Sequence, residues 1–124
     1  MKSESENAVF THSAVLLCVQ KFVCEDDNPE QVYKATRFAW HIRDVERVGR
    51  ADFVMAVIHG RIKEVFKASE WLPATAENFP GHQTEHGRYG FNGEVASKEI
   101  RDQYIGKRLL SEKRLYGPIR YVNI

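Results

Sequence analysis

The sequence predicts a mixed α+β fold, either a small mixed sheet or a partly closed β-barrel, with one main helix and one short helix. Three observations carry that prediction. Ala14 to Val19 and Phe53 to Ile58 are short continuous apolar runs, the pattern of strands buried on both faces. Asn28-Pro29-Glu30-Gln31 is a strong helix start, with a cap oxygen, proline at the first helical position and a glutamine that reaches back. His59-Gly60 is a two-residue turn between the second apolar run and Arg61 to Phe66, which gives a β-hairpin. The 124 residues suit one domain, and a domain of that size buries roughly two-thirds of the surface its unfolded chain exposes.

The elements follow in order. Residues 1 to 10 are polar and acidic and are expected to be a flexible tail preceding a domain over 11–124. After the first strand, Glu25 to Asn28 form a polar turn into a helix expected to reach Trp40. Val32, Ala35 and Ala39 make one stripe of that helix, and Tyr33, Arg37 and Trp40 a second at the same spacing. Asp44 to Arg50 read either as a helical turn capped by Asp44 or as a loop. Arg61 to Phe66 also match a helical period, but their β-branched residues and the adjacent tight turn favour strand. Pro73 to Gly87 make a long surface loop, functional or mobile. Arg88 to Phe91 read as a strand ended by an Asn92-Gly93 turn. Ser97 caps a short helix that carries Ile100 and Tyr104 on one face and ends at Gly106. Pro118 to Ile124 are the last strand. The economical way to protect such short sheet edges is a partly closed barrel.

With 43% hydrophobic and 28% charged residues, disorder of the bulk is excluded. Neither apolar run approaches the roughly 20 residues of a membrane span. Glu4 and Glu6 stand where a secretory signal has bases, so a cytoplasmic protein is expected. Cys18 and Cys24 then read as reduced thiols, at least one of them buried. The net charge of +1 hides an asymmetry. Residues 1–30 hold six acids against two bases, whereas residues 98–124 hold seven bases against three acids. A basic end of this kind suits a phosphate-bearing partner, and equally a solvated face turned toward an acidic one.

No strong catalytic signature is present, nor any cofactor motif. Gly87, Gly90 and Gly93 recur every third residue but do not match a dinucleotide fingerprint, and read as strand bends or turns. His82 and His86 lie in a loop rich in proline and glycine, where their spacing does not bring two rings to one metal; they read as solvated, and no metal site is expected. His59 is a turn residue, and His41 beside Trp40 is a weak functional candidate. Glu64 and Glu94 are the carboxylates of interest. On an alternating strand Glu64 shares a face with Ile62 and Phe66, so it needs a partner, which Arg37 or Arg88 could supply. It is then either a packing ion pair or a catalytic acid. Tyr33, Arg37, Phe38, Trp40, Trp71, Arg88, Tyr89 and Phe91 interleave rings with guanidinium groups, the combination a base or nucleotide wants and also one that ordinary aromatic core packing produces.

A resemblance adds to this. Tyr33-Lys34-Ala35-Thr36-Arg37 with Trp40, Ala51-Asp52-Phe53 with Gly60 and Trp71, Arg88-Tyr89-Gly90-Phe91-Asn92-Gly93-Glu94, Tyr104-Ile105-Gly106-Lys107 and Pro118-Ile119-Arg120-Tyr121-Val122-Asn123 together resemble a family of small uncharacterised prokaryotic and phage domains. Members occur alone or attached to larger proteins, some of them similar to restriction-type nucleases. The resemblance spans residues 33–123 and implies a prokaryotic or phage cytoplasmic protein, with no assigned activity. Tyr89 stands where a tryptophan is expected, and the Ala74 to Gly87 loop is longer than usual. At the level of fold the pattern also resembles PUA-like barrels, the ASCH and EVE group, which bind RNA or modified bases.

The leading expectation is a non-catalytic binding module for RNA, DNA or a nucleotide-like ligand, with Tyr33, Arg37, Trp40, Trp71, Arg88, Tyr89 and Glu94 as its ligand-binding residues. The alternatives are an interaction protein that inhibits or adapts a larger enzyme, and a nucleotide- or nucleic-acid-processing enzyme using Glu64 or Glu94.

Overall fold

The computed structural model describes residues 7–24, 26–109 and 119–124. In chain order the elements are β1 (Ala14–Cys18), α1 (Pro29–Thr36), α2 (Val45–Gly49), β2 (Phe53–Ile58), β3 (Arg61–Pro73), β4 (Tyr89–Val95), α3 (Lys98–Tyr104) and β5 (Ile119–Val122). The strands form one mixed sheet in the order β4-β3-β2-β1-β5. β1 and β2 are parallel, with Ala14 opposite Phe53, and every other pairing is antiparallel.

The two apolar runs are the neighbouring central strands. Val15, Leu17, Val54, Ala56 and Ile58 face one buried cluster, and Ala14, Leu16, Met55 and Val57 face another. Helices cover both faces, since Val32 of α1 and Val48 of α2 join the first cluster and Tyr104 of α3 joins the second. The α+β prediction therefore holds, as a mixed sheet that remains open. A barrel would turn one strand face into an enclosed interior, whereas here separate helices already bury each face. The β4 edge is blunted differently: Trp40 and Tyr89 exchange backbone hydrogen bonds of 2.7 and 2.9 Å, and Phe91 N–H donates to Arg37 O at 2.9 Å.

Local chemistry explains most of the elements. The α1 capping box forms as predicted, with Gln31 N–H donating to Asn28 Oδ1 and Asn28 N–H to Gln31 Oε1, both at 2.9 Å. α1 nevertheless ends at Thr36, not Trp40, because the following residues leave the helix to pair with β4. Asp44 resolves the ambiguous stretch by accepting from Arg47 N–H at 3.1 Å and capping α2, which makes a third helix. The hairpin turn puts His59 and Gly60 at φ of 49° and 80°, as a tight turn between twisted strands requires. Ser97 caps α3, and Gly106 follows it at φ 87°.

Further expectations are corrected. β3 runs on to Pro73, pairing first with β2 and then with β4, and its registers skip Lys63 and Ser69 at two bulges. The skip at Lys63 breaks the alternation, so Ile62 and Phe66 fall into different clusters. Asn92-Gly93 is not a turn but the interior of β4, where a Cβ on Gly93 would collide with the backbone at Lys67 O. Residues 7–10 lie against the body of the fold: Ala8 is buried and its N–H donates to Arg108 O at 2.7 Å, while Phe10 stacks on Tyr104. The rest of the expected tail, 1–6, and Pro118 at the start of the last strand lie outside the described residues.

Candidate functional site

β1 and β2, being parallel, end side by side. The turn after β1 is fixed by Phe22 N–H and Val23 N–H, which donate to Val19 O at 2.8 and 3.1 Å, and Val19 and Val23 are both buried. Gln20 Oε1 accepts from His59 N–H at 3.4 Å and ties this turn to the hairpin turn. Above these strand ends lies a cleft of about 1060 Å³, walled on one side by Phe38 to His41 and on the other by Arg108, Leu109 and Arg120.

Each wall has a local cause. The chain leaving α1 is held by the Trp40–Tyr89 bridge, which carries Arg88 to the cleft, its Nη1 3.5 Å from Ala39 O. Arg108 is set by backbone pairing on both sides, to Asn7 and to Arg61. Arg120 stands on β5 opposite Leu16. The long loop is not slack: Ala74 N–H donates to Arg88 O and Glu85 N–H to Ala74 O, both at 2.8 Å, and Phe79 is fully buried. Phe38 sits between Phe79 and His82, stacked on the latter at 4.2 Å.

The cleft is electropositive. Among the described residues Lys21, Arg88, Arg108 and Arg120 line it against one carboxylate, Glu85, and His41 and His59 add imidazole rings. Among the described residues no ion pair engages those four cations. Trp40 is 5% exposed and contributes little surface, whereas Phe22 stands 65% exposed at the rim. Cys18 opens onto the same space, and burial pushes its thiol above the usual range.

Of the residues expected from sequence, Trp40 and Arg88 line the cleft, while Tyr33, Arg37, Trp71, Tyr89 and Glu94 do not. Trp40 Nε1 donates to Thr36 O at 2.6 Å, closing the end of α1. Arg37 clamps α1 to β4: its guanidinium lies over the Tyr33 and Phe79 rings, Nε donates to Phe91 O at 3.3 Å, and Nη2 donates to Asn92 Oδ1. The Tyr33 hydroxyl accepts from Gly93 N–H at 2.9 Å. Trp71 packs on Phe91, and its buried Nε1 meets no acceptor among the described residues. Glu94 is exposed opposite Lys67. Glu64 is buried as expected, but its partner is neither Arg37 nor Arg88. Arg101 of α3 grips it with two hydrogen bonds, Nε to Oε1 at 2.8 Å and Nη2 to Oε2 at 3.0 Å.

His82 and His86 are both exposed. The group of potential metal donors among the described residues is instead Cys24, Asp26 and Asp27, where Asp27 Oδ2 already accepts from Cys24 N–H at 2.9 Å. Sequence reasoning missed Lys21 and Phe22 as site residues, and placed Phe38 among the rings interleaved with bases. The one signal pointing to Arg108 and Arg120 was the basic C-terminal third. No protein-family model, curated protein or solved structure matches the chain.

Proposed function

We propose that the protein is a non-catalytic binding module for nucleic acid or a nucleotide-like ligand, held in the cleft over the ends of β1 and β2. The observation that carries this reading is the composition of the cleft: among the described residues, four cations from four separate segments face one carboxylate, with aromatic rings at hand. Cations gathered against their mutual repulsion favour a polyanion, and rings beside them favour a planar base. The carboxylates weighed for catalysis stand elsewhere, Glu64 in its ion pair with Arg101 and Glu94 on the surface of β4. Among the described residues, Glu85 is the carboxylate that lines the cleft. The prokaryotic or phage setting and cytoplasmic location implied by the family resemblance are proposed along with this role.

A ligand that binds only the folded form raises its melting temperature. Thermal scans with nucleoside mono-, di- and triphosphates and with short RNA and DNA oligomers test the reading. The expected result is a rise with at least one of them, reduced by salt and absent in the Arg88→Ala/Arg108→Ala/Arg120→Ala variant. No rise with any of them, or a rise that the triple variant retains, overturns it.

A further inference from the structure

We infer that the ligand of this cleft is a single nucleic-acid strand laid across the ends of β1 and β2, with Phe22 as a stacking platform for one base. This rests on the cleft being a polyanion site. The size of the cleft and the elements that line it distinguish a strand from a free polyphosphate nucleotide. A di- or triphosphate concentrates its charge, and proteins meet it with a glycine-rich turn or the N-terminus of a helix, where several backbone N–H groups converge. Among the described residues neither faces this cleft: α1 approaches it through the residues after its C-terminal end, Phe38 to His41. The charges stand instead on four separate segments, at Lys21 after β1, Arg88 before β4, Arg108 after α3 and Arg120 on β5. A cleft of about 1060 Å³ lined in this way is at or above the roughly 300–1,000 Å³ of ordinary small-molecule sites and has room for a backbone carrying several phosphates.

Phe22 supplies the second argument. The residue is 65% exposed although its neighbour Val23 is buried and its own N–H is held by Val19 O. The turn is thus ordered, and it presents an uncovered ring beside Lys21 at the rim of a cationic cleft. An aromatic next to a backbone-tracking groove is how single strands are bound with little sequence preference, because every base has a π-face. A duplex stacks its bases internally and offers no such face to the ring.

Fluorescence anisotropy with labelled eight-nucleotide single-stranded RNA and DNA tests the inference, using ATP and an eight-base-pair duplex as competitors. A single strand should bind, and ATP or duplex should compete at least about tenfold more weakly. The logarithm of affinity should fall with that of salt at a slope of about −2 to −3, for three or four phosphates. Phe22→Ala, a surface change, should weaken strand binding about tenfold and leave the salt slope unchanged. Arg108→Ala or Arg120→Ala should flatten the slope by about 0.7. If ATP or duplex binds as well as the strand, or Phe22→Ala binds as the parent does, the single-strand inference is overturned while the cleft reading stands. If neither strand, duplex nor ATP binds, both fall.

Discussion

Glu64 shows what a single charge inside a sheet demands. Its side chain is 4% exposed, and a carboxylate that dry is tolerated only when its lone pairs are filled. Arg101 fills them in a two-pronged geometry that a lysine cannot reproduce. The hydrogen bond to Glu64 is the main reason the Arg101 guanidinium is held above its ordinary pKa, against the opposing effect of burial. Arg101→Ala should therefore cost about 3 kcal/mol, the low end for a broken buried pair, because the Arg101 side chain is itself 32% exposed. Urea unfolding checks this, and a loss below about 0.5 kcal/mol, the size of a surface pair, contradicts it. That Glu64 needed a partner was legible in the sequence. Which partner was not, since the bulge that skips Lys63 alters the alternation from which a facing residue would be inferred.

The two cysteines make a second contrast at this scale. Cys24 is exposed, whereas Cys18 is partly buried in the cleft and its thiol is pushed up by desolvation. At neutral pH less of Cys18 is thiolate, so alkylation should mark Cys24 first. The Cys18 rate should go on rising as pH passes above the usual thiol range. A bound oligonucleotide should slow Cys18 and leave Cys24 unchanged, as peptide mass analysis would show. Equal protection of both thiols places the ligand elsewhere.

At the level of elements, the features visible in the sequence are those decided within a few residues. The α1 capping box, the Asp44 and Ser97 caps and the His59-Gly60 turn depend on bonds spanning two or three positions. The end of α1 at Thr36 and the course of β4 through Asn92-Gly93 depend on tertiary pairing instead. Gly93 is required by the close approach of β3, not by a turn. Gly93→Ala should thus cost about 3 kcal/mol, since the clash is with the backbone at Lys67 and Ala68 and cannot be relieved by a side-chain rotation. Gly49 in α2 has open space around its Cβ position and no positive φ. Gly49→Ala should stabilise by about 0.5 kcal/mol through lower unfolded-state entropy and better helix propensity. Thermal unfolding of the two variants should move in opposite directions. A Gly93→Ala protein as stable as its parent would mean that β3 and β4 do not lie in this register.

Across the whole molecule, the paired apolar runs were enough to identify the centre of the sheet, but the cleft was not visible in advance. Its cations are far apart in the chain, from Lys21 to Arg120, and meet only because the parallel β1 and β2 end together while β5 and the Trp40–Tyr89 bridge bring in the remaining walls. The aromatic and Arg clustering around Tyr33 and Arg37 pointed instead to the packing of α1 on β4. The same architecture sets where local opening is costly. Leu16, Leu17, Met55 and Ala56 have no exposed surface, lie on strands flanked on both sides, and face helices above and below. Their amides should exchange only through global unfolding, with the denaturant dependence of the whole molecule. The loop from Ala74 to Gly87 should fall between these and open solvent, because its ends are bonded and Phe79 is plugged into the interior. Within it Glu85 N–H, bonded to Ala74 O, should exchange more slowly than the amides of exposed residues that carry no such bond. Hydrogen exchange followed by mass spectrometry or NMR resolves these classes. Exchange of β1 or β2 as fast as that of the loop would show that the parallel pair is not the stable centre, and the cleft built on its ends would lose its foundation.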